Sequence, residues 1–173
     1  ISEDFTISLT LGGGLIGWLA FFPGILGYFS QPTFIYMLLF PCIGLIPIWM
    51  RLREASMNCA MASFSMIEKI MLGGLTIIIL FDLSEALSPQ ADADTMAYHF
   101  ATPSLFLQHG KLEFIPRAID GAVPLLQQLG YGVALSLGGE LTANLWLALT
   151  GWTVGAMTFI VSTRLITRPW ALA

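Results

Sequence analysis

The sequence predicts an all-α, polytopic transmembrane bundle of about four spans, with an extracytoplasmic loop that carries two short juxtamembrane helices. Three observations point there. The 173 residues are 56% hydrophobic and only 10% charged, whereas soluble chains carry roughly 25% charged residues. Three uncharged runs, Ile7–Phe29, Thr33–Met50 and Leu141–Val161, have 23, 18 and 21 residues, near the roughly 20 that a helix needs to cross a bilayer core. A further apolar stretch, Ile70–Leu83, reaches that length when counted from Met66. The net charge of −4 excludes a basic nucleic-acid binder, and the apolar content excludes a disordered chain.

The elements follow in order. Ile1-Ser2-Glu3-Asp4 has no basic n-region and does not read as a signal peptide. The chain starts with Ile1 rather than Met, and is expected to be a piece of a longer or processed protein. The first run holds Gly12-Gly13-Gly14, Gly17, Pro23 and Gly24, which would break a helix in water but are tolerated in lipid, where they let helices approach closely. Ser30-Gln31-Pro32 is a short polar break, and the second run is expected to kink at Pro41 and Pro47. Arg51 and Arg53 follow, then an interfacial linker from Glu54 to Ser65. Residues 1–65 thus form two spans and a cytoplasmic linker, and residues 66–173 form a span, an outer loop over about 84–140, and a last span. Lys69 is placed to snorkel to the headgroups at the start of the third span. Cys42 and Cys59 make no disulfide framework and no Cys/His metal pattern, and read as small buried thiols.

Charge sets the orientation. With Arg51, Arg53, Lys69, Arg164 and Arg168 on the cytoplasmic side, five of the seven basic residues are inside, and only Lys111 and Arg117 are outside. The N-terminus is then cytoplasmic. Val123–Leu137 is apolar but short, and contains Gln127, Gln128, Gly130 and Gly132. It is expected as a helix lying on the outer membrane surface or packed on the bundle. Thr95–His109 is the other loop helix. Gly12, Gly13, Gly17 and the Gly151-x-x-x-Gly155 pair suit close contact between helices.

Charge is scarce, so its concentration in the outer loop matters. Asp92, Asp94, His99 and His109 fall within eighteen residues. Asp94 is placed to cap a helix or to sit in its first turn. Asp94 and Tyr98 are spaced i, i+4 and share a face, with His99 about 100° further round. A capping aspartate beside interfacial Tyr and His would give the same pattern without any chemistry. His109-Gly110 reads as a helix stop. Asp92 reads either as a second catalytic carboxylate or as a solvated one.

The pattern Asp94-x-x-x-Tyr98-His99-x-x-x-Pro103, followed by Gly110 and Pro116 after one spanning helix, resembles the first outer loop of GT-C membrane glycosyltransferases. The group it is most similar to is the bacterial one related to protein O-mannosyltransferases and the aminoarabinose lipid A transferase. Pro124-Leu125-Leu126, the run Leu137-Gly138-Gly139-Glu140-Leu141-Thr142-Ala143 and the basic turn after the last span add to the likeness. It covers about Ile70 to the C-terminus. Ser104 departs from it, since a Lys is more usual after the proline. The resemblance implies an enzyme of the bacterial inner (plasma) membrane that moves a sugar from a polyprenyl-phosphate-type donor to an acceptor on the outer face. By likeness Asp94 is the general base, with Asp92 as runner-up; Tyr98 and His99 orient the acceptor or bind a phosphate oxygen. Lys111 and Arg117, the outer cations, are candidates for the carrier phosphate, or simply contact headgroups. Some relatives use a divalent metal and others do not, and two aspartates do not decide it. The likeness implies many more spans than four, so this stretch alone is not expected to be active.

Two other readings stand beside it. A non-enzymatic accessory subunit of a membrane complex, with other membrane subunits as partners, would bind lipid or pigment, with His99 as an axial ligand. A transporter piece would need ionisable residues at mid-span, and the first, second and fourth runs have none.

Overall fold

The structure is a computed structural model that describes residues 3–39, 64–116, 126–166 and 171. Among these the chain is all-helical. Helix α1 spans Glu3–Ile25 and starts earlier than the uncharged run, because Glu3 and Asp4 occupy its first turn, where carboxylates complement the helix dipole. It ends in a Schellman motif. Gly27 takes a positive φ of 83°, its N–H reaches the Gly24 carbonyl at 3.4 Å, and the Tyr28 N–H reaches the Pro23 carbonyl at 2.8 Å. Helix α2, described over 31–39, begins after Ser30, whose hydroxyl meets the Thr33 hydroxyl at 3.0 Å. The rest of the expected second span, both cysteines, Arg51 and Arg53 lie outside the described residues.

Helix α3 spans Met66–Ala86 and opens on a capping box. The Ser65 N–H donates to the Glu68 carboxylate at 2.8 Å, and the Glu68 N–H donates to the Ser65 hydroxyl at 3.3 Å. A π-helical turn over Thr95–His99 then runs into α4, Ala101–His109. Pro103 explains the wider turn. It has no N–H for the His99 carbonyl one α-turn back, and its ring crowds that carbonyl, so the chain opens to a Phe100 N–H···Thr95 bond of 2.9 Å. Gly110 stops α4 at φ 69°, as its sequence predicts.

Helix α5 spans Leu126–Leu165 but is not one rod. Gly138 (φ −155°, ψ 21°) and Gly139 (φ 67°, ψ −156°) break it into arms of 126–137 and 140–165. The arms fold back on each other. A Cβ on Gly130 would lie 3.0 Å from the Trp146 indole nitrogen, Gln127 meets Thr150 at 3.5 Å, and Ala134 and Ala143 share one buried cluster. The first arm is therefore packed on the bundle. Every residue from Gln128 to Ala134 is buried.

Three contacts set the directions of the helices. Glu3 at the start of α1 pairs with Arg164 near the end of α5. Gly17 sits so close to α5 that a Cβ would lie 2.6 Å from the Leu126 carbonyl oxygen. Asp82 of α3 accepts a hydrogen bond from the Trp152 indole at 3.2 Å. So α1 and α3 run antiparallel to the second arm of α5. Glu3, Lys69 and Arg164 gather at one end of the bundle, and the 87–116 segment at the other. There a core of Ala20, Phe29, Phe34, Leu129 and Val133 ties the loop to the helices, and the 110–112 strap bonds to the α1 turn (Phe29 N–H to Gly110 at 2.8 Å, Leu112 N–H to Gly24 at 2.9 Å).

By length and composition, α1 and α5 are the two described helices apolar enough to cross a membrane. The 26 residues of the second α5 arm give it about 39 Å. Helix α3 has span length, 21 residues, but carries Glu68 and Lys69 at one end and Asp82 and Glu85 at the other. Large apolar side chains face outward on α1 (Trp18, Phe22) and on α3 (Ile77, Ile78, Phe81). An apolar surface of that extent marks a membrane or partner face.

Candidate functional site

The acidic loop begins where α3 ends. Asn144 of α5, buried to 2% exposure, holds it there: its side chain accepts from Gln90 at 2.7 Å and donates to the Ser88 carbonyl at 3.0 Å. The helical backbone resumes at Ala93. Asp92, not Asp94, is its cap. The Asp92 carboxylate accepts from the Thr95 N–H at 2.8 Å and from the Thr95 hydroxyl at 2.9 Å. These two bonds, with the charge of nearby His99 and the Asp94 N–H adding to them, hold the Asp92 carboxyl below its ordinary value of 3.8. Asp92 is not merely solvated, since Thr95 takes two acceptor positions on its Oδ2. Asp94 carries no capping hydrogen bond and is exposed; of the two placements expected for it, it takes the one in the first helical turn.

Tyr98 and His99 sit at the end of the same π-helical turn. Their rings lie 4.2 Å apart, tilted at 49°. The His99 ring also meets Tyr131 of the first α5 arm edge-on at 6.1 Å, so His99 is docked into the bundle. Its Nδ1 is buried and has no hydrogen-bond partner among the described residues. The turn thus brings Asp92, Asp94, Tyr98 and His99 together, with Asp94 on the open side.

The cations are placed differently. The Lys111 ammonium pairs with Glu113 at 3.3 Å, and Glu113 also binds His109. These partners, His109 first, lower the Glu113 carboxyl below its ordinary 4.5. Lys111 lies beyond the far end of α4, whose nine residues measure about 14 Å. The structure does not bring it to Asp94. Arg117 lies outside the described residues. Among the described residues no three His, Cys, Asp or Glu side chains come together to hold a metal ion.

One feature escaped the sequence reading. A cavity of about 1060 Å³ lies between α3 and the second α5 arm. Gly151 and Gly155 line it, and a Cβ on either would meet nothing within 4 Å. The Gly-x-x-x-Gly pair, expected to bring helices into contact, instead lines open space here. The i, i+3 spacing of Asp82 and Glu85 was the available signal. The close approaches occur at Gly17 and Gly24 instead, where a Cβ would lie 2.6 Å from the Leu126 carbonyl oxygen and 2.5 Å from Leu112. No protein-family model, no curated protein and no solved structure matches this chain.

Proposed function

We propose that this chain is part of a membrane glycosyltransferase that takes a sugar from a polyprenyl-phosphate-type donor, with Asp94 as general base. The observation that carries the reading is the division of labour between the two aspartates. Asp92 is committed to Thr95, which leaves the exposed Asp94 carboxylate free of any capping duty. It stands on the same turn as Tyr98 and His99. In this reading the end with Lys69 and Arg164 is cytoplasmic, as the positive-inside rule favours, and the end with the acidic loop faces out of the inner membrane of a bacterium. The exposed apolar faces of α1 and α3 offer a surface for the carrier's tail.

The reaction is a single inverting displacement. An acceptor hydroxyl attacks the anomeric carbon, the bond from that carbon to the phosphate oxygen breaks, and the lipid phosphate leaves with the electron pair. The hydroxyl proton passes to the Asp94 carboxylate. Tyr98 supplies a hydroxyl to orient the acceptor, and His99, fixed against Tyr131, positions the turn.

The test uses the full-length protein in lipid with polyprenyl-phosphate sugar donors. Replacing a general base lowers turnover by about 10²–10⁴-fold. Asp94→Asn is expected to lose transfer on that scale with unfolding behaviour unchanged, while Asp92→Asn keeps most of it. Near-normal turnover in Asp94→Asn overturns the base assignment. Silence of the wild type across donors overturns the transferase reading in favour of an accessory subunit.

A further inference from the structure

We infer that the cavity between α3 and the second α5 arm is a binding site for a long-chain amphiphile with a cationic, ammonium-type head. The cavity is two-ended. At the end nearest the outer loop its polar lining is Asp82, Glu85, Gln90 and Asn144. Towards the other end it is walled by apolar side chains, among them Leu72, Leu75, Phe159 and Ile160. Among the described residues no Lys, Arg or His lines it. Asp82 and Glu85 are one turn apart on one face of α3, and both are exposed. Two like charges at the mouth of an apolar cleft concentrate a field that favours a cationic ligand group. Trp152 gives Asp82 one neutral hydrogen bond, and among the described residues no cation pairs with it. An ammonium group would supply three donors and the missing charge. A phosphate or carboxylate head would meet repulsion at the same place.

The α3 wall from Leu72 to Ala86 rises about 21 Å, so the space is long as well as apolar. Ala148, Gly151, Gly155 and Ala156 create this slot along α5, and the volume matches ligand pockets, roughly 300–1,000 Å³. The inference rests on the cavity alone and is independent of sugar transfer.

The test is quenching of Trp152 fluorescence, taken as the difference between wild type and Trp152→Phe, with the full-length protein in zwitterionic nanodiscs. The probes are 9,10-dibromostearylamine and 9,10-dibromostearic acid, matched in tail. Saturable quenching by the amine is expected, at an apparent affinity at least about tenfold above that of the acid, the scale of one charge contact near a protein surface. The preference is expected to vanish in Asp82→Asn/Glu85→Gln. It is expected to fall in Glu85→Gln alone, which keeps the Asp82–Trp152 bond and guards against misfolding of the double variant. Equal affinity for amine and acid overturns the inference. So does an amine preference that survives both variants, or an absence of Trp152-specific quenching by either probe.

Discussion

Gly132 packs closely against the Phe29 ring, and Gly132→Ala tests whether this contact holds the re-entrant arm of α5 in place. A Cβ at Gly132 would lie 2.6 Å and 2.8 Å from two atoms of the Phe29 ring, and 3.4 Å from Pro103. Ordinary van der Waals contact begins near 3.4 Å, so the ring must move by about 0.8 Å. It has little room. Phe29 is fully buried and edge-packed on Phe34 at 4.8 Å and Phe106 at 6.0 Å. Overpacking of this kind costs about 1–3 kcal/mol, while replacing a helical glycine by alanine returns up to about 1 kcal/mol. The net expectation is a loss of up to about 2 kcal/mol, or roughly 4–8 °C in Tm for a chain of this size. Gly73→Ala is the control. Its Cβ meets nothing within 4 Å, so it is expected to leave stability level or raise it by up to about 1 kcal/mol. The decisive measurement is a double-mutant cycle with Phe29→Leu, read by thermal unfolding in detergent. The smaller side chain vacates the ring position, so the pair is expected to lose less than the two single losses combined, by about 0.5–3 kcal/mol. Gly132→Ala as stable as Gly73→Ala, or strict additivity with Phe29→Leu, would refute the packing argument.

Two further outcomes follow from the caps. Ser65→Ala removes half of the α3 capping box and is expected to cost about 1 kcal/mol, seen as faster amide exchange over residues 66–69 with the rest of α3 unchanged. The lowered Asp92 carboxyl gives a pH dependence of known sign. Its folded value lies below its unfolded one, so its contribution is fully present above about pH 4 and is lost as pH falls through the folded value. Acid titration followed by the Thr95 amide resonance is expected to report that loss in the wild type, and an unchanged profile in Asp92→Asn would contradict it.

Much of the architecture was legible because its signals are local. Gly110 stops α4 where His109-Gly110 predicts, and the first turn of α1 follows from Glu3 and Asp4. The Ser65-x-x-Glu68 spacing that opens α3 is a local signal of the same kind. The turn that carries the candidate site also falls within the expected Thr95–His109 helix. What was not legible depends on partners distant in the chain. The capping role belongs to Asp92 because the helical backbone starts at Ala93, two residues before the expected Thr95. Lys111, a candidate for the carrier phosphate, is paired with Glu113. The Gly151–Gly155 spacing is a contact motif in one packing and a cavity wall in another.

The sequence by itself determined an all-helical chain with membrane-length apolar segments, because composition and the period of charge act residue by residue. Tertiary structure decided the rest. It folded the Gly138–Gly139 break into a hairpin of two arms, seated the first arm between α1 and the second, and turned a run of small residues into a cavity with two carboxylates at its mouth. Those outcomes rest on side-chain volumes meeting across the bundle: Leu126 on Gly17, Trp146 on Gly130, Phe29 on Gly132. A linear pattern records where glycine stands, and only packing decides whether its missing side chain becomes a contact or a space.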